Sequence, residues 1–291
     1  MKSFLLILLA ACTLSVQAQQ QPANNPLQFT SHFYDLEDHW VAFPKNEKTG
    51  KYPFGFIYLD MTAGFSFHLE GNFGLDAQGH IFRDSTDYLK NALYTYRLAA
   101  NTKPVAAIPD NMLQDLKVKQ VPDWLAIYKR GNQDKNTVAM KVLYGKHLNS
   151  AGAVKQALVY LEDAYKTEPH AAGLEFELTY SYNELQEYDK AIAVLNSAIQ
   201  NAPANPLFYR ELGFAYGHNN DLDNAINAYT KGINIAGPGN SEAKAEMAWN
   251  MAVLYRDQKK DLDNYKKWGK NAKDWAPANS EIGRAIKNIT F

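Results

Sequence analysis

The stretch EYDKAIAVLNSAIQNAPAN, Glu187–Asn205, sets apolar residues three and four apart and then closes on Pro203. That is the pattern of an amphipathic helix with its stop. Slid back until Ala191 falls on Ala157, it meets GAVKQALVYLEDAYKTEPHA (Gly152–Ala171); slid forward by the same step, onto Ala225, it meets DLDNAINAYTKGINIAG (Asp221–Gly237). Small residues coincide at Ala157, Ala191 and Ala225, and again at Ala164, Ala198 and Gly232. Larger apolar residues coincide at Leu158, Ile192 and Ile226 and at Leu161, Leu195 and Tyr229. The turns agree as well, at Pro169, Pro203 and Gly237–Pro238.

Upstream of each stretch lies a second helical segment with its own coincidences: Tyr144, Leu178 and Leu212; Gly145, Thr179 and Gly213; Leu148, Tyr182 and Tyr216. Two helices approach closely only where one of them offers Gly or Ala, and bulky residues fill the remaining space. This order of large, small and aromatic residues, closed by proline and returning every ~34 residues, resembles the tetratricopeptide (TPR) repeat. The resemblance implies a mainly α fold, a right-handed α-solenoid of about four helical hairpins; the residues on either side of it read as a cap helix after the array and a small antiparallel β-sheet region before it. The expected units are 138–171, 172–205, 206–239 and 240–279, with a capping helix in 280–291.

The fourth unit is irregular. DLDN occurs at Asp221–Asn224 and again at Asp261–Asn264, a longer step than the one from Ala191 to Ala225. Aligning the two copies puts Ala272 at the small position of Gly232 and Pro277 at the closing turn, so the six extra residues belong before Asp261. Tyr265 and Gly269 depart from the pattern. In the last stretch, Ser280 is placed to cap a helix carrying Ile282, Ala285, Ile286 and Ile289 on one face. Repeat arrays need such a helix to cover their final apolar surface.

Before the array the texture changes. Residues 29–84 are aromatic and Gly-rich, and in GFSFHLE the side chains of Phe65, Phe67 and Leu69 alternate with Ser66, His68 and Glu70, the period of a half-buried strand. Asp76–Gly79 has hairpin-turn chemistry, and three to five strands are expected. Residues 85–137 read as a helical linker, with helices over about 85–100, 110–119 and 122–130, and the Trp124/Ile127/Tyr128 face is expected to cover the first repeat. Residues 19–28 read as a flexible leader.

Residues 1–18 place Lys2 before an apolar run and end on Val16 and Ala18, the layout of a secretory signal. Cleavage after Ala18 gives an exported chain without a thiol, periplasmic or associated with the cell envelope. LAAC (Leu9–Cys12) allows lipidation at Cys12 instead, which would make an outer-membrane lipoprotein. Thirty Lys and Arg balance 31 Asp and Glu. With no basic block or stripe, nothing recommends nucleic acid as a partner, and no stretch is long enough to insert in a membrane.

The TPR resemblance implies a concave groove lined by the first helix of each hairpin, and a protein or peptide partner held there. Carried over position by position, the lining is Val142, Lys146 and Asn149; Phe176, Tyr180, Asn183 and Glu184; Leu207, Arg210, Phe214 and His218; and Trp249, Val253 and Arg256. Some relatives clamp a terminal carboxylate with Lys, Asn and Arg. Val142, Lys146, Glu177, Leu207 and Glu211 stand at those places, so that clamp is missing and a peptide presenting apolar side chains fits better. Self-filling of the groove by the linker or sheet is the competing expectation. A second reading makes the sheet a small-ligand or glycan module, centred on His68, Glu70 and His80, with the array as a docking arm. His32, Asp35, Asp38 and His39 offer metal-ligand chemistry without a spacing that fixes convergence. No H-E-x-x-H, phosphate loop, G-x-S-x-G or EF-hand pattern occurs, so recognition without catalysis or cofactor is expected.

Overall fold

A computed structural model describes residues 26–84, 87, 94–129 and 136–291. Most of the leader, including Cys12 and Ala18, lies outside the described residues. Four helical hairpins follow one another: α3 (Val138–Ser150) with α4 (Val154–Thr167), α5 (Leu174–Glu184) with α6 (Tyr188–Asn201), α7 (Pro206–His218) with α8 (Leu222–Ile235), and α9 (Ser241–Leu254) with α10 (Leu262–Trp275). The short α11 (Glu281–Ile286) closes the array.

The backbone keeps the same count as the sequence. Just before each second helix one residue has positive φ: Gly152 (79°), Gln186 (62°), Asn220 (62°) and Lys260 (55°). The first three are evenly spaced and the fourth comes late by the same six positions as the second DLDN, so one left-handed residue makes the turn inside every hairpin. The two DLDN copies do identical work. Asp221 and Asp261 each accept a hydrogen bond from the backbone N–H three residues on, at 3.4 and 3.0 Å, and from the Asn224 and Asn264 amides at 2.8 and 2.7 Å. Both therefore cap the start of a second helix. The six extra residues are absorbed by a 3-10 turn at Pro238–Asn240 and a π turn, Tyr255–Lys259, that prolongs α9.

Inside the hairpins the small positions are contact points. Ala157, Ala191, Ala225, Ala164 and Ala198 are all fully buried. A Cβ added to Gly145 would lie 2.5 Å from Leu161, and one added to Gly213 would lie 2.5 Å from Tyr229, so the large residue of the second helix sits directly on the first helix's glycine. Gly269 departs from the pattern for a different reason: its missing side chain makes room for the ring of Phe291, to which a Cβ would come within 2.1 Å. That ring also meets Tyr265 at 5.5 Å and Trp249 at 6.3 Å. Ser280 caps α11, and Ile282 and Ile286 are buried, whereas Ala285 is exposed and Ile289 falls beyond the helix.

The amino-terminal part is a six-stranded antiparallel sheet: β1 (His39–Ala42), β2 (Tyr52–Asp60), β3 (Gly64–Leu75), β4 (Ile81–Phe82), β5 (Tyr94–Arg97) and β6 (Ala106–Ala107). The order is β4-β3-β2-β1-β6, and β5 also pairs β3. Two expectations are corrected here. Tyr94–Arg97 is a strand, registered against Ser66–Leu69, where a helix was expected; residues 85–86 and 88–93 of that expectation lie outside the described residues. The helices at 110–119 and 122–130 are shorter, α1 (Asp110–Leu116) and α2 (Leu125–Lys129), and α1 stops where Lys117 turns left-handed at φ 57°.

Both faces of the central strands β1, β2 and β3 are covered, whereas Tyr94 and Tyr96 of β5 and Phe82 of β4 are half exposed. Val41, Ile57, Leu59, Phe65 and Phe67 share a core with Tyr144, Leu148, Ala151 and Ala153 of the first hairpin. Trp40, Phe54, Phe56, Tyr58 and Phe73 share another with Met112, Leu113, Leu116 and Leu125. Ser66 and His68, expected at a solvent face, are buried because α1 and α2 roof that side. Trp124 and Tyr128 accordingly pack on the sheet, against Tyr58 at 5.4 and 4.8 Å, and Ile127 is exposed. It is the sheet, and not the linker helices, that covers the first repeat. Polar contacts hold the junction: the Tyr144 hydroxyl donates to Glu37, the Gln156 amide donates to Asp35 at 3.2 Å, and His147 meets the Met61 carbonyl at 2.9 Å. No helix among the described residues is long and apolar enough to cross a membrane.

Candidate functional site: the groove between helices α3, α5 and α7

Because α3, α5 and α7 are the first helices of successive hairpins, they line one side of the array and leave a groove of about 710 Å³. Its lining is mainly apolar. Ala139, Val142, Leu143 and Lys146 come from α3, Glu175, Phe176 and Glu177 from α5, and Leu207 and Phe208 from α7, with Ala172, Gly173 and Asn205 at the helix starts. Val142, Lys146, Phe176 and Leu207 stand where the sequence register put them. Leu143 and Phe208 were missed because each follows an expected position by one residue. With about 3.6 residues to a turn, neighbours in sequence flank the same helix and both reach the hollow between two helices. Further along, Arg210, Phe214 and Trp249 line a hollow of about 190 Å³, and Phe214, His218 and Val253 one of about 120 Å³.

Asn149 and Asn183 do not face the groove, contrary to expectation. They are buried between successive first helices. Asn149 Nδ2 donates to the Glu177 carbonyl at 2.9 Å and to its carboxylate at 3.0 Å, and Asn149 Oδ1 accepts from the Ser181 hydroxyl at 2.7 Å. One repeat on, Asn183 Nδ2 reaches the carbonyl and carboxylate of Glu211 at 3.5 and 3.3 Å. These amides tie one hairpin to the next. Arg210 is tied up too: it pairs with Glu211 at 2.9 Å and Glu246 at 2.6 Å, over the face of Phe176. Arg256 is exposed and bound to its neighbour Asp257 at 2.6 Å, and His218 stacks on Tyr188 and Phe214.

Tyr180 and Glu184 lie along α5, half-buried and exposed respectively. Burial raises the Tyr180 hydroxyl above its usual range, and the carboxylates of Glu184, Glu211 and Glu177 add to the rise. The Glu177 carboxyl is itself raised by burial, against the opposing bond from Asn149 and the nearby charge of Lys146.

The amino-terminal candidates do not gather. His68 packs against Trp124 at 4.2 Å with the rings tilted by 30°, while His80 is exposed and turned to Asp76 at 3.2 Å. His32 stacks on Tyr34, His39 meets the Glu37 carbonyl, and Asp35 receives Gln156. Among the described residues no group of three or more His, Cys, Asp or Glu could hold a metal ion.

A TPR repeat family model matches residues 180–220, from within α5 through α7 to the turn before α8. No curated protein matches the chain. Among solved structures, MamA from Desulfovibrio magneticus RS-1 is 18% identical, with 52% of this chain and 81% of that one covered at a TM-score of 0.44. A second MamA, from MSR-1, is 20% identical over 52% and 82% at 0.41, and a third MamA crystal structure is 25% identical over 52% and 84% at 0.43. The family match lies inside an array whose turns, caps and small-residue contacts recur from one hairpin to the next, so this part of the chain is a TPR-type helical array with a TPR repeat at residues 180–220.

Proposed function

We propose that this chain is a binding scaffold that holds a segment of a protein partner in the groove between α3, α5 and α7. The observation that carries the reading is the open, largely apolar groove of about 710 Å³, walled by side chains from three successive hairpins. A concave apolar surface with a few placed polar groups suits a peptide or an exposed helix. The work done is recognition, with no bond made or broken. A photo-crosslinking residue at Leu207 should yield adducts with partner proteins from the native source, and the same residue at the exposed Leu262 of α10 should not. Equal labelling from both positions would remove the groove from the argument.

The compartment belongs to the same proposal. The leader 1–18 supports export to the periplasm or cell envelope, with cleavage after Ala18 or lipidation at Cys12. The mass of the mature amino terminus separates the two, and an intact Met1 would overturn both. The rival reading of the sheet as a ligand module finds no pocket among the described residues where it was centred, since His68 and His80 point to different partners and His68 lies under the roof of the central strands.

A further inference from the structure

The charges around the groove say which partner chemistry it takes, an inference that rests on the groove reading above. Glu177, Tyr180 and Glu184 stand at steps of three and four along α5, so they share one face of that helix. Glu175 lines the groove but is bound to His170 at 2.6 Å; four further carboxylates stand along α5, α7 and α9, Glu177 in the groove, Glu211 and Glu246 in the next hollow, and the exposed Glu184 on α5. Two cations oppose them. Arg210 is already committed, bound to Glu211 at 2.9 Å and to Glu246 at 2.6 Å with its guanidinium over Phe176. Lys146 lies near Glu177, and Glu184 is exposed with no ion pair among the described residues. Carboxylates thus outnumber cations by two along a concave, largely apolar wall, where the field of unbalanced charge is focused.

An acidic ligand would meet that excess and find Arg210 occupied. A basic one would find two carboxylates one helical turn either side of a half-buried tyrosine ring, which also attracts cations through its face. We propose that the groove takes a segment with apolar residues for the floor at Val142, Leu143 and Leu207 and lysine or arginine for the wall, the cation lying over Tyr180 between Glu177 and Glu184.

The test uses the full chain and three fluorescein-labelled nonapeptides in which leucine alternates with lysine, with serine or with glutamate, read by anisotropy. The lysine peptide should bind about tenfold more tightly than the glutamate peptide, and rising salt should narrow the gap. In Glu177→Gln/Glu184→Gln the lysine peptide should weaken about fivefold, as expected for one exposed and one half-buried ion pair, and the serine peptide should be unchanged. Glutamine keeps the oxygen that accepts from Asn149, so the hairpin contact survives. Phe176→Ala should weaken all three peptides. If the glutamate peptide binds as well as the lysine peptide, or the glutamine variant changes nothing while Phe176→Ala still weakens binding, the charge inference falls and the groove stands. If peptides bind with no response to Phe176→Ala, the groove reading falls with it. Failure of all three to bind while the Leu207 crosslink still forms also overturns the charge inference.

Discussion

Replacing Ala215 by serine should stabilise this protein, and the reason can be read from one repeat to the next. In the first junction the Asn149 side chain is satisfied at both ends: its amide donates to Glu177 and its carbonyl oxygen accepts from Ser181 at 2.7 Å. The second junction repeats the donor side, but at longer distances, 3.5 and 3.3 Å to Glu211. Residue 215, the counterpart of Ser181 one period on, is alanine, and the buried Asn183 Oδ1 has no hydrogen-bond partner among the described residues. A buried acceptor left without a donor costs about 1–3 kcal/mol, and a new hydrogen bond contributes about 0.5–1.5 kcal/mol net. Ala215→Ser should therefore gain about 1 kcal/mol, or roughly 2–4 °C in Tm for a domain of this size. Ser181→Ala should lose about 1–3 kcal/mol by orphaning Asn149 Oδ1. Urea unfolding of both variants, beside Ala215→Cys as a control of similar size with a weak donor, decides the matter. If Ala215→Ser is no more stable than Ala215→Cys, or less stable than the parent, the ladder has been misread.

Three further outcomes follow from other parts of the structure. Gly269→Ala would drive a Cβ to 2.1 Å from the Phe291 ring, so the ring must leave; a loss of about 1 kcal/mol is expected, with no further loss in Gly269→Ala/Phe291→Ala, and additive losses in chemical denaturation would contradict the shared contact. Gln186 and Lys260 hold positive φ at 62° and 55°, a region costing non-glycine residues about 1 kcal/mol, so Gln186→Gly should be neutral or stabilising by a few tenths of a kcal/mol, and a loss above about 1 kcal/mol in thermal unfolding would refute this. Burial lowers the His68 pKa below its ordinary value of 6.5, so its share of stability is complete above that value and is lost as pH falls through the lower folded-state pKa; His68→Phe should flatten the fall in Tm between pH 7 and 5, and an unchanged slope would show that His68 does not contribute to it.

The array was legible because every hairpin meets the same packing problem and solves it with the same residue types at the same spacing. The stripe of each first helix was legible in outline, and Val142, Lys146, Phe176 and Leu207 do line the groove. What the spacing could not separate was a polar residue facing the groove from one facing the next helix. Asn149 and Lys146 sit one turn apart, and only the position of α5 makes the first a strut and the second a wall. Likewise the spacing of YTYR at 94–97 fits the helix expected from the sequence over 85–100 and also fits period two. Its choice of strand depends on the free edge of β3 at Ser66–Leu69, a pairing distant in sequence that no local pattern encodes. Gly269 was visible as an anomaly, but its meaning required Phe291 to arrive beside it.

The two ends of the array explain why the sheet is an integral part of this molecule. A stack of hairpins exposes an apolar face at each end, and each must be covered. At the far end α11 and Phe291 suffice, burying Ile282 and Ile286. At the near end the cover is the sheet: Phe33, Ile57, Leu59, Phe65 and Phe67 are each 4% exposed or less and lie in one core with Tyr144 and Leu148. Fully burying a side chain of this kind is worth about 1.5–3 kcal/mol, so five of them amount to something on the order of 10 kcal/mol, as large as the net stability of a typical domain. The sheet and the first hairpin therefore fold as one unit, and α1 and α2 exist to cover the face that this arrangement turns outward. The central strands are thus committed on both sides, while the groove of α3, α5 and α7 stays open.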